Sequence, residues 1–132
     1  MQNIFQQTIN EPIDFRGIGL HSGKISNVKL KPADVDKGII FKRTDLKNDN
    51  IVVANYKNVS SAKLCTTLEN VKGIKVSTVE HLLAAFYIVG IDNVVVEIDN
   101  EEVPIMDGSS KDFIKILNNV GIKRFDKKNK FL

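Results

Sequence analysis

The chain has 132 residues, 42% of them hydrophobic and 27% charged, a balance that fits one compact domain and leaves no room for a second. Folding at this length buries about two-thirds of the surface the unfolded chain exposes, so a core forms without staples and wholesale disorder is excluded. The net charge of +3 is uneven: residues 111–132 carry seven bases against Asp112 and Asp126, while six acids and no base lie between Asp92 and Asp107, so a uniform nucleic-acid-binding face is not indicated.

In chain order, Met1 to Gln7 lacks the basic start and apolar centre of a secretory signal, which predicts a cytosolic protein. Gly17-Ile18-Gly19-Leu20-His21-Ser22-Gly23-Lys24 reads as a tight loop; without a third glycine or a strand-to-helix transition it is a weak nucleotide signal. Lys24 to Lys31 alternates as a half-buried strand that Pro32 stops. Gly38 to Arg43, Ile51 to Ala54 and Ala62 to Leu68 are further strands, as is the β-branched run Asn93 to Asp99.

Ser77-Thr78-Val79-Glu80 reads as a capping box opening a helix whose Val79, Leu82, Leu83, Phe86 and Val89 recur at helical spacing until Gly90. Its apolar run, Leu82 to Val89, is far short of the roughly 18 residues that cross a bilayer. A second helix runs from about Ser110 to Val120 and stops at Gly121. The order predicts an α+β fold, a two-layer sandwich with a mixed sheet of about five strands and two helices packed on one face. Residues 1–121 form the domain, and 122–132 read as a basic linker.

Several residues could carry chemistry. Glu80 could be a general base or could close the capping box, and His81 could bind metal or be an ordinary bonded surface histidine. His21 could orient a neighbouring loop. Asp107, Ser109 or Ser110, in Pro104-Ile105-Met106-Asp107-Gly108-Ser109-Ser110, could cap the second helix. Cys65, the single cysteine, allows no internal disulfide and no cysteine-based zinc framework; it is a small buried group or a metal contact.

Taken together, Gly17-Ile18-Gly19-Leu20-His21-Ser22-Gly23, Leu64-Cys65-Thr66-Thr67, Ser77-Thr78-Val79-Glu80-His81-Leu82, Gly90-Ile91-Asp92-Asn93 and Pro104-Ile105-Met106-Asp107-Gly108-Ser109 resemble one family in order and spacing. It is the UDP-3-O-acyl-N-acetylglucosamine deacetylase family, and the resemblance runs from about Thr8 to Gly121. It implies a zinc-dependent amidohydrolase of lipid A biosynthesis that removes acetate from UDP-3-O-(3-hydroxyacyl)-N-acetylglucosamine. By that resemblance Glu80 is the general base, His81 a zinc ligand, and His21, Cys65 and Asp107 possible site support.

The family has two similar α+β domains around its site, and the second supplies the remaining zinc ligands with a further lysine and histidine. The resemblance therefore implies an amino-terminal half, incomplete alone, whose linker leads to an absent second domain. Two other readings are a non-catalytic binding module whose basic tail contacts nucleic acid or an anionic surface, and a half that assembles with a separately encoded partner. No aromatic stacking platform accompanies the tail's charges, which counts against nucleic acid.

Overall fold

A computed structural model describes residues 4–62 and 64–129. Its elements in chain order are β1 (Phe5–Ile9), β2 (Ile13–Ile18), β3 (Ile25–Pro32), β4 (Ile39–Arg43), β5 (Ile51–Val53), a 3-10 turn (Tyr56–Asn58) and β6 (Val59–Ser61). There follow β7 (Thr67–Glu69), β8 (Lys75–Ser77), α1 (Glu80–Val89), β9 (Val94–Ile98), α2 (Lys111–Val120) and β10 (Ile122–Lys128).

The alternation of Val28 and Leu30 with Lys29 and Lys31 sets the sheet. The main sheet has the order β2-β3-β9-β4-β5, and only the β4–β9 pair is parallel. Its register lines up Ile13, Leu30, Val96, Phe41 and Val52 as one apolar row across all five strands. The last four are buried, because side chains two residues apart share a face. On the other face Asp14, Lys29, Glu97 and Lys42 form a polar row. On that same face Lys31, two residues beyond Lys29, pairs diagonally with Glu97 at 3.0 Å, and this partly exposed ion pair adds little stability.

Both helices cover the apolar face and pack against each other. α1 contributes Leu82, Ala85 and Phe86, and α2 contributes Phe113, Leu117 and Val120. The Phe113 ring meets Phe15 of β2 with centroids 5.4 Å apart, a tilted aromatic contact. The two-layer α+β sandwich is therefore as expected, and among the described residues no helix is long and apolar enough to cross a membrane.

Three expectations need correction. Residues 122–128 are a strand rather than a linker: β10 runs antiparallel to β1, pairing Ile9 with Ile122 and Phe5 with Lys128. Its charged side chains remain in solvent while the backbone pairs, so charge concealed the strand from composition. Lys127 forms an ion pair with Asp36, and Asn129 donates from Nδ2 to Asp92 Oδ1 at 3.0 Å. Gly121, with φ 82° and ψ 174°, makes the turn into β10 in a region essentially restricted to glycine. Met1, Gln2 and Asn3, read above for a signal, and Lys130, Phe131 and Leu132 of the tail lie outside the described residues.

The expected strand over 62–68 contracts to β7, and Cys65 lies in the preceding bend rather than in a strand; Lys63 lies outside the described residues. The capping box at Ser77 does not form. α1 starts at Glu80, and the Ser77 amide that Glu80 would have capped donates instead to Glu101 O at 2.8 Å.

Candidate active site at the start of the first helix

Freed from capping, Glu80 reaches back across the chain. Its Oε1 accepts the Thr66 amide at 3.2 Å, which ties the Cys65–Thr66 bend to the first turn of α1. Its Oε2 takes no hydrogen bond from any described residue. The adjacent His81 is half-buried, and neither ring nitrogen is bonded to a described residue. The pair thus offers one anchored carboxylate with an open oxygen beside an uncommitted imidazole.

Glu102 joins this helix start to the histidine loop, although sequence reading had singled it out only as one of six acids in a run. Its side chain is 2% exposed. Its Oε1 accepts the Ser22 amide at 2.8 Å, the His21 amide lies 3.1 Å from both carboxylate oxygens, and Oε2 accepts the Thr78 hydroxyl at 2.6 Å. The two early glycines now have a steric role. A Cβ on Gly19 would collide with Glu102 Oε1 and Ser22 Oγ, and one on Gly17 would lie 2.9 Å from Pro104 Cβ. They admit the 102–104 segment.

Burial works to raise the Glu102 carboxyl, but hydrogen bonds from Thr78, Ser22 and His21 outweigh it and hold the group below the ordinary glutamate range. The stabilisation is therefore complete above the unfolded-state value and is lost as pH falls through the depressed folded-state value. Wild type should exceed Glu102→Gln in denaturant stability at neutral pH, and the gap should close in acid below the carboxylate range. A gap that does not depend on pH would contradict this sign.

The other expected residues separate from this group. The His21 ring is exposed, and only its backbone reaches Glu102. Cys65 is half-buried, with Sγ 3.8 Å from Thr67 Oγ1, one residue from the amide that Glu80 holds. Asp107 accepts the Ser109 amide at 3.0 Å and the Ser109 hydroxyl at 2.9 Å; these bonds hold its carboxyl below the ordinary aspartate range. Ser109 Oγ in turn accepts the Lys111 amide at 3.2 Å, so this pair braces the start of α2. No described hydrogen bond links Asp107 to Glu80 or His81.

Among the described residues no group of three or more histidine, cysteine, aspartate or glutamate side chains could hold a metal ion. A catalytic zinc takes three protein ligands. The described residues therefore do not bring three such ligands together.

Comparison with known proteins bears on the whole chain. The chain is 45% identical over 130 residues to a UDP-3-O-acyl-N-acetylglucosamine deacetylase of Wigglesworthia glossinidia brevipalpis, covering 98% of this chain and 44% of that protein. A protein of the same name from Ruthia magnifica subsp. Calyptogena magnifica is 48% identical over 128 residues, covering 97% and 42% respectively. One from Brucella melitensis biotype 2 is 42% identical over 130 residues, covering 98% and 45%. The chain thus spans less than half the length of these curated relatives. A family model described as UDP-3-O-acyl N-acetylglycosamine deacetylase matches residues 6–132, from β1 through β10 and beyond, and the chain belongs to that family.

Proposed function

We propose that this chain forms the amino-terminal half of a zinc-dependent deacetylase acting on UDP-3-O-acyl-N-acetylglucosamine, a cytoplasmic step of lipid A biosynthesis. In this reading Glu80 is the general base and His81 one zinc ligand. The remaining ligands come from the portion of the relatives that this chain does not span. The observation that carries the reading is the Glu80–His81 pair itself, set in a chain 45% identical along nearly its whole length to a protein named for that reaction.

The local chemistry is consistent with these roles. A general base must be fixed in direction and open to a proton. Glu80 has one oxygen anchored on the Thr66 amide and the other without a hydrogen bond from any described residue, so it could take the proton of a water attacking the acetamide carbon. The outer side of α1 supports a second half packed over this helix, because Tyr87 is 65% and Ile88 58% exposed, an apolar surface on the element that carries the pair.

The test joins this chain to the portion of the Wigglesworthia relative that it does not span. The fusion should release acetate from UDP-3-O-acyl-N-acetylglucosamine, and this chain alone should release none. A correctly folded fusion with no activity, or full turnover by this chain alone, would overturn the reading.

A further inference from the structure

We propose that Glu102 is a positioning residue for the Glu80–His81 pair, its single buried carboxylate locking the His21 loop and the backbone elbow at Thr78 into one rigid unit. The inference rests on the functional reading above and extends it to a residue that touches neither reacting group.

Three independent features converge on this carboxylate. The first is its connectivity: it accepts the backbone amides of His21 and Ser22 on one side and the Thr78 hydroxyl on the other. Thr78 lies only two residues before Glu80. The second is strain. Thr78 has φ +58°, a left-handed conformation that is costly for a β-branched residue and persists only where the surroundings over-determine it. The short bond to Glu102 Oε2 is a specific restraint on that residue, and without the elbow β8 would not turn sharply into α1.

The third feature is access. Gly19 lacks the Cβ that would otherwise occupy the carboxylate's position. The backbone of Glu102 is fixed as well: its carbonyl accepts the Ser26 hydroxyl at 2.7 Å, and it bridges in parallel to Ser77. With its flanking residues bonded to both β8 strand-end groups of Ser77, the carboxylate has little freedom to follow if either loop shifts. A group that only filled space would need none of these charge-assisted bonds.

Amide exchange followed by NMR on this chain, with the His21 and His81 ring signals as the spectroscopic readout, separates positioning from general support. In Glu102→Gln the amides of His21 and Ser22, which Glu102 holds, and those of Val79 and Leu83, which bond to Thr66 O and Val79 O around the first turn of α1, should exchange at least about tenfold faster, as the loss of charge-assisted bonds requires. Both histidine ring signals should shift, while the core amides of Val94, Val96 and Phe86 stay unchanged. Thr78→Val removes one donor and keeps the side-chain shape, so it should speed exchange at Val79 and Leu83 and spare Ser22. Thr78→Gly in the Glu102→Gln background should restore most protection at Val79 and Leu83, because glycine needs no restraint to hold a positive φ.

Uniform acceleration that includes the core, or unchanged exchange at both segments, would overturn the proposal; so would failure of Glu102→Gln to fold together with an unaltered Thr78→Val. These readouts report geometry without any catalysis. The positioning role and the deacetylase reading can therefore fail separately.

Discussion

Replacing Glu80 with Ala in the fusion described above should lower turnover by about a hundredfold to ten-thousandfold, the usual contribution of a positioned general base. The zinc content of the same variant should stay near that of wild type, because Glu80 is assigned the proton and not the metal. His81→Ala should show the reverse order of effects, with zinc retention falling first and turnover falling as a consequence. Side by side, turnover and metal content by mass spectrometry separate the two roles within one pair of neighbours. Equal zinc occupancy in His81→Ala would reject the ligand assignment, and near-normal turnover in Glu80→Ala would reject the base.

Phe86→Ala should destabilise the chain by about 3–5 kcal/mol, the range for deleting a buried phenylalanine from a packed core. Phe86 is fully buried on the face of α1 turned toward the sheet, in one cluster with Leu30, Phe41 and Val96. Since domains of this kind are stable by only about 5–15 kcal/mol, the loss would remove much of the margin. It would also loosen the helix whose first turn carries Glu80 and His81. Urea unfolding checks the magnitude; a loss under about 1 kcal/mol would mean that the site collapses around the cavity and that the packing described here is wrong.

Where side-chain pattern and burial coincide, the sequence was readable. β3, β9 and both helices follow from the spacing of Val28 and Leu30, the run Val94 to Val96, and the helical recurrence of Leu82 with Phe86 and of Phe113 with Leu117. β1 and β10 were missed because the buried positions of β1 include Gln6 and Thr8, polar groups satisfied by hydrogen bonds, and because β10 keeps its charges in water. In neither strand does hydrophobic alternation report the pairing.

The site was legible in part and by a different route. For Glu80 the residues alone left general base and capping box both open, and the resemblance to a family pointed to catalysis; in the structure the capping bond is absent and the carboxylate holds the Thr66 amide instead. Glu102 was obscured by its acidic neighbours, since in the run from Asp92 to Asp107 nothing local sets it apart from the other five acids. The available signal was indirect: Gly17 and Gly19 two residues apart mark a close approach by something elsewhere in the chain, and one chain alone does not say what approaches.

The central claim is that this chain supplies one zinc ligand of a set completed from outside it. Calorimetric titration of zinc into the purified chain tests this most directly. The account predicts no tight one-to-one binding, and weak uptake that His81→Ala reduces further. Stoichiometric, tight zinc binding by this chain alone would contradict it.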